Sequence, residues 1–430
     1  MSGTGGQCPR SAAVDAHGAN REGCAMRQEM GNRSSAPATS NAAVARAFRF
    51  VVLIGIVSFF ADMTYEGARG IVGPYLAILG ASATAVGIVA GLGELLGYGL
   101  RMVSGRLADE TGEYWPITLL GYAVQMASVP LLALAGRWEI AAVLIVTERI
   151  GKAIRNPPRD VMLSYATKQI GHGWGFGLHE ALDQAGALVG PLVAAAVLYG
   201  RGQYRLAFAI LLVPAILTFL LIVTARLLYP RPRELEAAPP DVDTSGLPAV
   251  YWLYLAGAAL VAAGFADFSL VSYHFEKAAT VQSPWIPIFY AVAMATSGAG
   301  SLVFGRAFDR FGIVVLIPLT IASALFAPLV FLGGFGLALV GTALWGLGMG
   351  VHESIMAAAV ATMVPAQRRG SAYGIFNTGY GIAWFVGSAL MGILYDASIP
   401  AVIIFSVVIE LSAITFFLLV SQRQRAGATT

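Results

Sequence analysis

The chain reads as an all-α polytopic membrane protein, with about twelve spanning helices arranged as two six-helix halves. Three observations carry that reading. Of 430 residues, 57% are hydrophobic and 12% are charged, against roughly 25% charged in a soluble globular domain. The apolar residues fall into long solid runs, matching the ~20 residues a bilayer-crossing helix needs rather than the ~10-residue alternating segments of a β-barrel. The first half's motifs recur in order in the second, about 200 residues later, as in a duplicated unit. Together these set aside a soluble enzyme, a disordered protein and a nucleic-acid binder, and the net charge of +3 is too small to suggest a polyanionic partner.

Residues 1–45 are rich in Gly, Ser, Ala and Asn, hold both cysteines (Cys8 and Cys24), and read as a disordered cytoplasmic tail. Apolar runs then predict spans at 48–68, 82–104, 115–135, 138–160, 173–198 and 205–227. Residues 229–249, with prolines and charges, form the one long internal polar break and read as a cytoplasmic linker. A second set of spans is predicted at 250–272, 285–305, 313–333, 336–362, 370–394 and 400–420. This predicts bundles over 46–228 and 250–421 and a short cytoplasmic tail over 422–430. With the N-terminus in the cytoplasm, Arg46, Arg49, Arg106, Arg226, Arg306, Arg310, Arg423 and Arg425 all fall inside, while Arg137, Arg201, Arg205 and Lys277 fall outside. That asymmetry places both termini in the cytoplasm and the chain in an inner or plasma membrane.

The duplication rests on three matches in register. Phe60-Ala61-Asp62 recurs as Phe265-Ala266-Asp267. The loop Gly105-Arg106-Leu107-Ala108-Asp109-Glu110-Thr111-Gly112 recurs as Gly305-Arg306-Ala307-Phe308-Asp309-Arg310-Phe311-Gly312. Gly173, Gly177 and Gly190 match Gly370, Gly374 and Gly387. Two repeated bundles rocking about a central site are a recognised way to carry a solute.

On these residues the chain resembles the major facilitator superfamily over nearly all of Phe48 to Val420. The GxLADxxG loop is similar to that superfamily's signature loop, and Gly186-Ala187-Leu188-Val189-Gly190-Pro191 resembles the GxxxGP element of its proton-coupled exporters. The stretches Glu148–Asp160 and Gly175–His179 resemble a poorly characterised bacterial subgroup. The chain departs from the family at Glu110 and Glu113, where basic residues are usual, and lacks the fourth-span arginine at its usual spacing from Gly151. The resemblance implies a twelve-helix fold whose first, fourth, seventh and tenth helices line a central cavity.

Ionisable side chains at membrane depth cost at least ~2.5 kcal/mol on insertion scales, so each asks for a reason. The first span holds Asp62, Glu66 and Arg69 on one helical face; the fourth holds Glu148, Arg149 and Lys152; the fifth holds Glu180 and Asp183. The seventh adds Asp267, and the tenth His352 and Glu353. These form the expected proton and substrate cavity, with Asp62 and Asp267 at equivalent heights from opposite halves. The alternative for single pairs is plain intrahelical neutralisation, Asp62 with Arg69 and Glu148 with Lys152. A cytoplasmic gate is expected from Gly105, Asp109, Gly112, Gly305, Asp309 and Gly312, with Arg155 and Arg159 ending the fourth span where Pro157-Pro158 should stop or kink it. Gly186, Gly190 and Pro191 are expected to let the fifth helix bend.

The function expected is secondary active transport of a small solute by alternating access, as a monomer, without metal or other cofactor. The resemblance tips the direction towards export in exchange for protons. A proton-coupled importer of an organic acid or nutrient remains open, and a membrane-embedded enzyme or transporter-like sensor is the distant alternative.

Overall fold

The structure, a computed structural model, describes residues 41–170, 172–231, 247–350, 359–360, 363–364 and 369–428. The first half comprises α1 (Asn41–Ile78), α2 (Ala83–Thr111), α3 (Tyr114–Leu131), α4 (Trp138–Ile170), α5 (His172–Arg201) and α6 (Tyr204–Leu228). The second comprises α7 (Ala249–Lys277), α8 (Ser283–Phe308), α9 (Gly312–Leu332), α10 (Phe335–Gly350), α11 (Arg369–Ala397) and α12 (Ile399–Ala428). Among the described residues there is no strand. By length and composition, ten of these helices can cross a membrane. The other two are α4, whose middle carries Glu148, Arg149, Lys152 and Arg155, and α10, which reaches the edge of a described stretch at Gly350.

Several limits move outward from those expected. Helix α1 already begins at Asn41, inside the expected tail, and α12 runs on to Ala428 through the expected C-terminal tail. Residues 1–40 and 232–246, which carry most of the expected tail and linker, lie outside the described residues. The largest change is in α4. Pro157 and Pro158 do not end it, and the helix continues to Ile170. Proline removes the N–H that would bond the carbonyl four residues back. For Pro157 that carbonyl belongs to Ala153, and the hydroxyl of Ser104 on α2 donates to it at 2.8 Å. A neighbouring helix thus satisfies the group the proline releases, as a low-dielectric interior requires.

Helix α7 shows the opposite behaviour. It breaks after Gly264, and a second segment starts at Phe268. Asp267 caps that segment, with Oδ1 accepting from Ser269 N at 2.8 Å. The Ala266 carbonyl, left without a helical donor, accepts from Trp345 Nε1 at 2.8 Å.

Side chains mark the two faces of the molecule. On one, α1, α3 and α6 meet: Trp115 Nε1 donates to Tyr229 O at 2.9 Å, and Phe50 packs on both rings. Both ends of the described chain lie on this face, termed here the terminal face. On the far face, Tyr75 at the end of α1 donates to the carbonyls of Leu132 and Ala135, just after α3. The halves join chiefly through α2 against α11 and α5 against α8. Gly87 and Gly91 let α2 approach closely: an added Cβ would lie 2.3 Å from Ser388 O at Gly87 and 3.0 Å from Phe385 Cα at Gly91. The outer surface is aliphatic, with Val213, Leu220, Leu227, Ile404 and Val408 among its exposed side chains. The centre holds buried Tyr254, Phe265, Trp345 and Trp384. Large apolar residues on the outside suit a solvent of lipid tails.

Candidate functional site

A cavity of 590 Å³ lies between the halves, on the terminal side of the middle. Its first-half wall carries Asp62, Glu66, Arg101, Lys152, Arg155, Arg159, Asp160, Glu180 and Asp183. Its second-half wall, among the described residues, is Met294, Ser301, Tyr373, Phe376, Asn377 and Tyr380, without a formal charge. A second cavity of 680 Å³ opens at the far face beside Tyr75, Tyr204, Arg205 and Glu276. It lies at helix ends, and Glu276 already accepts from Tyr204 Oη at 2.9 Å and Ser283 Oγ at 3.0 Å. The cavity between the halves therefore holds the candidate chemistry.

Beyond that cavity, towards the far face, the halves are tied together. Arg69 Nη2 donates to Asp267 Oδ2 at 3.0 Å, across 198 residues of sequence, and to Glu94 Oε1 at 2.9 Å. Tyr290 on α8 donates to Glu66 on α1. At the far rim Asp396 on α11 accepts from Ala83 N at 3.1 Å, Thr84 N at 2.8 Å and Thr84 Oγ1 at 2.6 Å, capping α2 of the other half. Tyr273 donates to Ala81 O at 3.1 Å.

A continuous chain of charges runs from this seal into the cavity. Glu94 also meets Arg149 Nη2 at 3.3 Å, and Arg149 Nε lies 3.5 Å from Glu148 Oε2. Gln125 Nε2 donates to Glu148 Oε1 at 2.7 Å, while Gln125 Oε1 accepts from Arg155 Nε. Arg155 Nη2 lies 3.8 Å from Asp62 Oδ1. Asp62 Oδ2 accepts from Tyr65 Oη at 3.0 Å, and Tyr65 Oη accepts from Lys152 Nζ at 2.7 Å. The order is Asp267, Arg69, Glu94, Arg149, Glu148, Arg155, Asp62, Lys152, so charge alternates along the chain and sums to zero. Removing one buried partner leaves its neighbour's charge uncompensated, a large penalty in a low-dielectric interior.

The expected site residues are thus brought together, but in different pairings. The intrahelical pairings are not the ones formed: Arg69 turns away from Asp62 to Glu94 and Asp267, and Lys152 reaches Tyr65 rather than Glu148. Asp62 and Asp267 do not face one cavity from equal heights. Asp62 lines the cavity and Asp267 sits in the seal, where the break in α7 places it. Arg155 and Arg159 do not end a helix at a gate. Because α4 continues, both are buried in the first half, Arg155 also bonding Tyr122 Oη at 3.0 Å and Arg159 holding Asp160 at 2.8 Å. Glu180 accepts from Gln184 of its own helix at 3.0 Å.

Around the expected gate, Gly112 ends α2 at φ +72 and Gly312 comes after α8 at φ +63, left-handed backbone that favours glycine. Glu110 pairs with exposed Arg106 at 2.7 Å. Gly105 and Gly305 lie within the last turns of α2 and α8. The side chains of Asp109 and Asp309 lie outside the described residues, as do His352 and Glu353. Gly186 and Gly190 are where α5 meets α1: added Cβ atoms would lie 2.2 Å from Phe59 O and 2.3 Å from Met63 O. Pro191 comes directly after them inside a continuous helix.

Sequence reasoning passed over Tyr65, Gln125 and Tyr290, which carry links in the network. Gln125 offered a signal, as an amide in mid-span; the two tyrosines did not stand out among 16. It also passed over Glu410 on α12, which is fully buried beside Ser406 and behind the Gly264 break, away from the cavity.

The family model for the Major Facilitator Superfamily matches residues 54–334 and 282–429. "Uncharacterized protein Rv2265" of Mycobacterium tuberculosis is 40% identical over 375 residues, covering 86% of this chain and 92% of that protein. "Multidrug resistance protein MdtH" of Aeromonas hydrophila is 31% identical over 186 residues, covering 43% of this chain and 45% of that one. Among solved structures, a peptide transporter POT in complex with sulfate aligns with a TM-score of 0.70 at 14% identity, covering 88% of this chain and 94% of that one. At that identity the likeness concerns the fold.

Proposed function

The chain belongs to the major facilitator superfamily, and from that premise we propose that it exports a small solute in exchange for protons, by alternating access. The terminal face is cytoplasmic in this reading, because Arg46, Arg49, Arg226, Arg306, Arg310 and Arg423 gather there while Arg137, Arg201, Arg205 and Lys277 lie at the far face. The protein then sits in the inner or plasma membrane as a monomer, facing inward, with both termini in the cytoplasm. Solute, protons and lipid are its partners, and transport rather than catalysis is its activity.

The observation that carries this reading is the alternating charge chain between Asp62 in the cavity and Asp267 in the seal. Neutralising either carboxylate with a proton leaves the chain one positive charge in excess. At Asp267 it also removes the negative charge that holds Arg69 across the two halves. The far-side seal then weakens, and the halves can separate there. Solute bound near Asp62 and Lys152 changes the same balance, which links its movement to the proton's. A relative named for multidrug resistance, similar over part of the chain, supports the outward direction.

The importer reading draws on Lys152 and Arg101 in the cavity, which would hold an organic anion. One experiment separates the two. Everted vesicles containing the protein are acidified inside, and a pH-sensitive dye reports proton movement when compounds from a toxic panel are added. Proton efflux from the vesicles on solute addition supports antiport. Uptake of protons together with solute supports symport. Asp62→Asn and Asp267→Asn are expected to abolish the response to the imposed gradient; solute-driven proton movement unchanged in both would overturn the coupling assignment.

A further inference from the structure

Resting on that transport reading, we infer that the cavity is built for an amphoteric solute with a flat aromatic body, its anionic end at Arg101 and its cationic end at Asp183. Most charges around the cavity already have partners inside the protein. Asp62, Lys152 and Arg155 belong to the chain described above, Arg159 holds Asp160, and Glu66 accepts from Tyr290. Arg101 and Asp183 form no ion pair with the described residues. Arg101 has no carboxylate of those residues within ion-pair distance, its Nε makes no hydrogen bond to them, and its guanidinium lies 4.9 Å over the Tyr98 ring. Asp183 has a buried Oδ1 without a hydrogen bond, as does Oε1 of the neighbouring Gln184. Glu180, one turn away on α5, adds a second carboxylate to that end.

These poles stand on opposite flanks of the interface between the halves. Next to Arg101, Met102 lies against Gly374 of α11, where an added Cβ would be 3.4 Å from its sulfur. Next to Asp183, Gln184 lies towards Gly298 of α8, at 4.0 Å on the same measure. On the Arg101 flank the wall is aromatic: Tyr98 of α2 meets Tyr380 of α11 edge-on at 5.6 Å, and Tyr380 is stacked on Phe376 at 5.7 Å. A solute of drug-like size fits 590 Å³. A greasy cation would face Arg101, and a simple anion would face Asp183 and Glu180. Only a molecule with both charges satisfies both ends, and a flat unsaturated body suits the aromatic wall.

The test uses a biphenyl bearing a carboxylate at one end and an aminomethyl group at the other, with its methyl ester (a cation) and its N-acetyl derivative (an anion). Binding to the purified full-length protein in detergent is measured by calorimetry at neutral pH. No gradient is present, so the result is independent of transport direction and proton coupling. The zwitterion is expected to bind at least about tenfold tighter than either analogue. Arg101→Gln should erase its advantage over the cation alone, and Asp183→Asn its advantage over the anion alone. Arg101→Lys should retain the preference. Equal binding of the three probes, no binding by any of them to protein of unchanged melting temperature, or equal loss for all three in both variants would overturn the inference. Solute-coupled proton movement in vesicles with none of this charge preference would leave the transport reading standing and remove this one.

Discussion

The same three residues, Phe-Ala-Asp, take two conformations in the two halves. Phe60-Ala61-Asp62 lies in unbroken helix, and Asp62 lines the cavity. Phe265-Ala266-Asp267 breaks its helix, and Asp267 caps the next segment while binding Arg69 from the other half. The flanking residues decide between these outcomes. Asp267 is succeeded by Phe268 and Ser269, whose amide its carboxylate caps, and Gly264 before it opens the turn. Asp62 is succeeded by Met63 and Thr64, and Thr64 Oγ1 bonds back to Phe60 O at 2.8 Å within the helix. A duplicated motif therefore places one carboxylate in the cavity and the other in the ion pair that ties the halves together.

That contrast can be broken most severely at this ion pair. Arg69→Gln leaves Asp267 and Glu94 buried without their shared cation, and a stability loss of about 3–5 kcal/mol is expected by analogy with other broken buried pairs. Thermal unfolding in detergent measures it, and Arg101→Gln in the cavity should shift the melting temperature far less. A smaller effect is expected from Trp345→Phe, which deprives the Ala266 carbonyl of its donor and should cost about 1–3 kcal/mol in the same assay. Ser104→Ala, which strips the donor from Ala153 O at the α4 prolines, should cost about 1 kcal/mol and leave solute affinity unchanged. The gentlest change is Asp396→Ala at the far rim. It removes a helix cap worth about 1 kcal/mol and should shift the population towards an open far face. Spin labels at Leu79→Cys and Ser398→Cys should then report longer distances, and an unchanged distribution would deny Asp396 any part in the seal.

Much of this fold was legible in composition and run length, because lipid imposes one rule on every spanning segment. The charges of α1 and α4 were legible as an anomaly for the same reason. Their pairings were not. Helical spacing relates Asp62 to Arg69, but which of several carboxylates Arg69 meets depends on how α1, α2 and α7 cross, and Asp267 is 198 residues away. Pro157-Pro158 misled for a related reason: the rule that a proline ends a helix assumes no outside donor, and Ser104 is one. Gln125 became a link between Glu148 and Arg155 only once α3 and α4 were packed.

Helix α4 also has a bearing on biogenesis. Its middle is too polar to partition into lipid alone, and its charges find their counterparts on α1, α2 and α3. Even its backbone across the two prolines relies on a hydroxyl from α2. Inserted on its own, α4 would meet lipid with its charges unpaired, so α1, α2 and α3, which precede it in the chain, supply what its entry into the bilayer needs.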